Sequence, residues 1–313
     1  MQPYRTQWQE QGYLVLPRAI APERIGRLRA LCERVHDQWR CESTPGSEPA
    51  NFHYQPNAWC VLHVNHPKYH RDSPADLTEL LDMVADPLPL GIIEEILREA
   101  AVFEQSNLYI DPPGEPFSGG WHRDCQFFTA GDEERERADL LAEADPPREL
   151  HLHVPLVSTA ATSVVPGSHR RWDTPEENRV RRLQPNSDIM PGAIRLQLEP
   201  GDLALFHVNA LHRGHYPVGV PRRTIAITYG RASLPRPITV ESMRDLHGYD
   251  CAYQPWLLNA DYLDGVQENT RLFFERFIDV YGPYWQPEFL VPELGEKRIA
   301  YFRDYLSVPA GAG

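Results

Sequence analysis

From Gly12 the chain reads Gly-Tyr-Leu-Val-Leu-Pro, a short β-prone run, and after Ala21-Pro22 the apolar residues Ile25, Leu28, Leu31, Cys32 and Val35 recur at helical spacing. A strand followed by an amphipathic helix is predicted. Residues 42–74 are rich in Pro, His, Asn and aromatics without periodicity, a long loop of the kind kept for a lid or a binding wall. Helical patterns return over 74–85 and 90–99. Beyond them short β-prone runs follow one another between Pro and Gly: Val102–Ile110, His151–Val157, Ser163–Val165, Leu203–His207 and Thr224–Tyr229. Short strands without crossover helices predict a mainly β sandwich or jelly roll. After Pro235 the pattern turns helical and aromatic, with 266–281 the clearest amphipathic stretch and a short helix at 296–306.

Residues 131–149 interrupt the strands with eight acids against three arginines, net −5, and read as an inserted surface helix that serves, with the loop 42–74, as a lid. The whole chain of 313 residues carries 44 acidic and 31 basic side chains, a formal charge of −13. Such a surface repels phosphate backbones and anionic lipid, so neither nucleic acid nor membrane is an expected partner. Five irregularly spaced cysteines with no C-x-x-C pair predict a reducing, cytoplasmic setting. No signal segment and no run of 18 apolar residues is seen.

His-x-Asp occurs twice, at His70–Asp72 and His122–Asp124, where roughly 0.8 such triplets are expected by chance, so context must separate them. The first runs into Ser73-Pro74 at a helix start and reads as a cap. The second follows a β-run and a Pro-Gly turn. On a strand, His122 and Asp124 would project from one face. A third ligand is expected from a distant strand, and His212, 90 residues on, is the candidate; His207 reads as a core histidine and His215 as a surface one. Two His and one carboxylate form the facial triad that holds Fe(II) and leaves adjacent positions open for a 2-oxo acid and O2. The co-substrate's second carboxylate calls for an arginine. Arg223, eleven residues after His212, is the candidate, with Ile225, Ile227 and Tyr229 sharing its face as the cavity lining and Arg222 turned outward. Asn107, Tyr109 and Thr224 are further candidates for the 2-oxo acid, and Trp121, Gln126 and Phe128 for substrate walls.

These pieces, together with Val165-Pro-Gly-Ser-His169 and Gly201-Asp202-Leu, stand in the order and spacing of the phytanoyl-CoA dioxygenase-like (PhyH) family, which the chain resembles over about residues 8–235. The resemblance implies a double-stranded β-helix (jelly-roll, cupin-like) core over 1–235 with N-terminal helices, and a helical extension over 236–313. It implies Fe(II) on His122, Asp124 and His212, 2-oxoglutarate on Arg223, and O2-dependent hydroxylation of an unactivated C–H bond with release of succinate and CO2. The ectoine-hydroxylase branch, and a compact free substrate rather than a coenzyme A thioester, fit the negative charge, with Trp59, Trp256 and Trp285 as added aromatic walls. Two departures stand near the site. Gly214 replaces the small hydroxyl residue usual two after the distal His, leaving the grip to Thr224 or Tyr229, and Ser158–Thr162 replaces a Gly-containing turn. The loop residue His169 reads as structural, and the Arg170–Arg182 cluster as a solvated face. Two other readings stay open: a cupin-like metalloenzyme without a 2-oxo acid, built on the His151-x-His153 pair, and a non-catalytic jelly-roll binding protein.

Overall fold

The computed structural model describes residues 2–42, 56–129, 131–235, 254–258 and 260–284. The predicted final helix, Trp285 and much of the predicted loop lie outside the described residues. Among the described residues ten strands form two antiparallel sheets. The larger sheet has the order β1 (Tyr13–Leu16), β8 (Leu203–His207), β5 (Glu149–Pro155), β10 (Arg223–Arg231), β3 (Ala101–Ile110) and β2 (Cys60–Leu62). The smaller one runs β4 (Phe117–Ser118), β9 (His212–Tyr216), β6 (Thr162–Val164) and β7 (Ile194–Arg195). This is the jelly roll that the pattern predicts.

The two faces of the larger sheet divide by chemistry. Val61, Leu108, Ile110, Leu152, Val154, Ile225 and Ile227 are fully buried in one cluster with apolar residues of α2 (Pro22–Glu42), α3 (Pro74–Val84), α4 (Pro87–Leu97) and α7 (Glu268–Tyr281). Burial of that helix-covered face is the main source of stability, at about 25 cal/mol per Å² of apolar surface. The register places the alternate residues together on the other face: Tyr109 opposite Thr224, Asn107 and His153 opposite Ala226, Gln105 and His151 opposite Thr228. A sheet whose second face is polar yet buried encloses a polar cavity. The predicted cavity lining Ile225, Ile227 and Tyr229 is therefore assigned to the wrong face. Tyr229 donates its hydroxyl to Val84 O at 2.6 Å, among the helices.

The acidic insertion is a docked helix, α5 (Glu133–Ala142), and the sequence after it joins β5. Glu136 and Leu140 are buried. Glu136 pairs with Arg181 and, at 2.5 Å, with Arg182 of α6 (Pro175–Leu183); Arg181 reaches Asp173 at 2.6 Å, and Asp173 takes Arg123 at 2.7 Å. The predicted solvated face of Arg170–Arg182 is thus in part a buried ionic network, and that network fastens α5 to the core. The first His-x-Asp stands before a helix as predicted, α3 beginning at Pro74 with Ser73 at the N-cap position, but Ser73 makes no side-chain cap bond; His70 reaches Val64 O at 2.8 Å.

Candidate active site

β9 opens at His212, which exchanges two backbone hydrogen bonds with His122, of 3.1 and 3.0 Å, and so sets the two imidazoles side by side with centroids 4.2 Å apart. His122 Nδ1 lies 2.6 Å from Gly120 O and His212 Nδ1 2.9 Å from Ala210 O. Donation to those carbonyls fixes each proton on Nδ1 and bares Nε2 for a metal. Burial, reinforced by His122, pulls His212 down to about 3, so it stands neutral, as a ligand must. Asp124 is the first residue of a 3-10 turn (Asp124–Phe128), not a strand residue as expected. Its amide donates to Val208 O at 3.1 Å, and Oδ1 sits 3.4 Å from His122 Nε2 and 3.6 Å from His212 Nε2. Ligand atoms of the three lie within 4.8 Å of one another, the only such group among the described residues.

The other carboxylate oxygen of Asp124 is held by His151, Nε2 to Oδ2 at 2.9 Å. His151 Nδ1 faces Thr228 Oγ1 at 2.9 Å, and Thr228 Oγ1 accepts from Gln105 Nε2 at 3.0 Å. One proton arrangement satisfies the whole chain: the Gln105 amide donates to Thr228, Thr228 to His151 and His151 to Asp124. Burial would raise the Asp124 carboxyl, but the neighbouring His122, His151 and His212 imidazoles overcome it and hold it well below the usual carboxylate range. His153 is 3.2 Å from Thr162 Oγ1 through Nδ1. The His151-x-His153 pair therefore faces the cavity without forming a metal group of its own.

Further along this face lies Arg222, 3% exposed, its guanidinium carbon 4.1 Å from the Tyr216 ring centroid and 4.9 Å from that of Tyr109. Its Nε has no hydrogen-bond partner, a long bond of 3.4 Å joins Nη1 to His215 O, the Tyr216 hydroxyl also engages the side chain, and no carboxylate pairs with it among the described residues. The Thr224 hydroxyl, on the same face, is also buried without a partner. His153 lies between the two ends: burial first, then Arg222, His151 and His212, push it well below its ordinary value.

Arg223 points the other way. It pairs with Glu33 of α2 at 3.0 Å and Asp111 at 2.7 Å, two carboxylates that complete its charge outside the cavity. Asn107 and Tyr109 do face the cavity; Asn107 accepts from the His63 amide at 3.3 Å and donates to Gln105 at 3.0 Å. Trp121 does not. It is 2% exposed, gives its indole N–H to Ser187 O at 2.9 Å and packs with Val165, Val180, Met190 and Leu211. Gln126 accepts from Arg181 at 2.9 Å, while Phe128, 48% exposed, remains open to solvent. Phe127 lies 5.4 Å from His122 and is 47% exposed. Trp59 stacks on Phe117 and touches Tyr216 and Tyr109, walling the Arg222 end; Trp256 instead packs against His66 within the helix-covered core. Arg222, Tyr216 and the bond from His151 to Asp124 are the features that sequence reading misses.

Within the jelly roll, a His-Asp-His group with bared Nε2 atoms and a buried arginine with no carboxylate paired to it among the described residues form a candidate metal centre and anion site. The chain belongs to the phytanoyl-CoA dioxygenase (PhyH) family, whose profile matches residues 8–217. Membership makes it an Fe(II)- and 2-oxoglutarate-dependent dioxygenase. No curated protein matches it. Among solved structures it is similar to AviO1 from Streptomyces viridochromogenes Tue57, with 20% identity over 75% of this chain and 96% of that one and a TM-score of 0.52. It is also similar to EctD from S. alaskensis with bound Fe (19%, 75% and 78%, 0.51), and to SnoN, a non-heme alpha ketoglutarate dependent epimerase from nogalamycin biosynthesis (16%, 74% and 83%, 0.50). At these identities the likeness is one of fold. No helix of the described residues is long and apolar enough to cross a membrane.

Proposed function

We propose that His122, Asp124 and His212 hold the iron, that Arg222 rather than Arg223 holds the distal carboxylate of 2-oxoglutarate, and that the enzyme hydroxylates an unactivated C–H bond of a small molecule, releasing succinate and CO2. The observation that carries the reading is Arg222: a residue 3% exposed, with an unpartnered Nε and no carboxylate paired with its guanidinium among the described residues, Asp111 taking only its backbone amide. A buried cation without a counter-ion is costly, and a bound carboxylate relieves that cost. The donor set fits the metal equally well, two imidazoles and one carboxylate whose ligand atoms lie within 4.8 Å of one another. When bound, iron and 2-oxoglutarate supply the oxidising chemistry.

The chain's own residues prepare it. His151 keeps Asp124 Oδ2 occupied and so presents Oδ1 to the two histidines. The buried His153, Thr162 and Thr224 and the partly buried Tyr109 offer a polar wall between the triad and Arg222. Phe127 and Phe128, open to solvent next to His122, offer an apolar mouth for a substrate. The formal charge of −13 favours a neutral or cationic compact substrate over a coenzyme A thioester.

Calorimetric titration of 2-oxoglutarate into Mn(II)-loaded protein tests the assignment. Arg222→Ala is expected to weaken binding at least tenfold, the worth of a charge-assisted pair, with Arg223→Ala near wild type. Loss in Arg223→Ala with Arg222→Ala unaffected would overturn it.

A further inference from the structure

Gly214 and Tyr216 follow His212 on the cavity face of β9, two residues apart. A side chain at 214 has no room. An ideal Cβ built there lies 2.6 Å from Tyr216 Cε2, 2.9 Å from its hydroxyl oxygen and 3.0 Å from Cζ. The phenol end of Tyr216 thus folds back along its own strand and fills the space next to His212 that a residue at 214 would fill. The ring is held in that pose from outside, by Trp59 at 4.8 Å and Phe117 at 5.6 Å between centroids. Its cavity side carries the Arg222 guanidinium at 4.1 Å. Burial pushes the Tyr216 hydroxyl up to about 12, against the opposing pull of Arg222, so it remains an O–H donor.

We propose that Tyr216 is a positioning residue for the co-substrate: its hydroxyl donates to the same carboxylate that Arg222 binds, and Gly214 is glycine because the phenol occupies its place. This rests on the assignment of Arg222 above. A carboxylate offers several acceptor positions, and a guanidinium whose face is covered by a ring leaves some of them for a second donor. The rigid aromatic packing means that the donor is in place before the ligand arrives, so little ordering opposes binding.

The test uses Mn(II)-loaded full-length protein and two calorimetric probes, 2-oxoglutarate and 2-oxobutyrate, the second lacking the distal carboxylate. Tyr216→Phe keeps the ring and removes one oxygen. It is expected to weaken 2-oxoglutarate about tenfold while leaving 2-oxobutyrate and Mn(II) affinity unchanged, a pattern that a merely structural role would not give. Gly214→Ser supplies the second arm. In the wild-type background it collides with the phenol and weakens 2-oxoglutarate; in a Tyr216→Leu background, where the space is free, it is expected to strengthen 2-oxoglutarate relative to Tyr216→Leu alone, a reversal of sign. Wild-type 2-oxoglutarate affinity in Tyr216→Phe, or equal losses for both probes, overturns the proposal while Arg222→Ala still loses binding. If Arg222→Ala binds normally, the underlying assignment falls instead.

Discussion

His151 engages both ring nitrogens, one on Asp124 Oδ2 at 2.9 Å and one on Thr228 Oγ1 at 2.9 Å, and so would support the proposed metal centre through Asp124. A carboxylate with one oxygen tied down has one oxygen to offer, and its orientation is set before a cation arrives. Outer partners of this kind are worth 10–100-fold in metal affinity. His151→Ala is therefore expected to weaken iron retention about tenfold against a competing chelator, and His151→Gln, which keeps an N–H donor, to lose less. Equal retention in all three proteins would show that Asp124 needs no such support. The rival reading of His151-x-His153 as ligands came from the right parity and the wrong partner. Sequence shows that two imidazoles share a face, but not that a turn 27 residues upstream places a carboxylate against one of them.

At the scale of the element, β10 shows how far patterning carries. Its existence is legible from the run Arg-Arg-Thr-Ile-Ala-Ile-Thr-Tyr, read as 224–229 where the strand spans 223–231, but the choice of inner face is not settled by alternation alone, because the strand is buried on both sides. The signal is in the polar parity. Arg222, Thr224 and Thr228 alternate with Ile225 and Ile227, and a cavity for a dicarboxylate takes the polar set while the helices take the isoleucines. The same reasoning places Asn107 and Tyr109 correctly. Trp121 is misread because a large aromatic beside a ligand looks like a wall, whereas its N–H is committed to Ser187. The acidic insertion is a helix as its pattern predicts, but net charge describes its exposed side and hides one buried glutamate.

That glutamate supports a prediction. Glu136, fully buried, is paired with Arg181 and Arg182, and Arg181 in turn bonds Gln126 within the turn that begins at Asp124. Glu136→Ala leaves a buried cation partly uncompensated, a loss of about 3–5 kcal/mol. Denaturant unfolding is expected to report that loss, accompanied by weaker iron binding as the turn loosens. A variant as stable as wild type would return α5 to the role of a passive or mobile surface helix.

For the molecule as a whole, one sheet serves two masters: its apolar face binds the helices, and its polar face, closed by the smaller sheet, builds the site. The family match over residues 8–217 ends just short of β10, so Arg222 is a feature read from the register of this chain rather than from the matched segment. The jelly roll, its helical flanks and the triad are legible in the sequence because spacing and motif order report them. The pocket beyond the triad is less so, since it is assembled from strands paired across more than a hundred residues, as Tyr109 is with Thr224. Everything rests on one convergence, that of His122, Asp124 and His212. Protein loaded anaerobically with Fe(II), desalted and assayed for iron tests it most directly. The expected result is one iron per chain in the wild type and in Asp72→Ala, from the unused His-x-Asp, and almost none in His122→Ala or His212→Ala; iron at wild-type occupancy in His122→Ala would contradict the account.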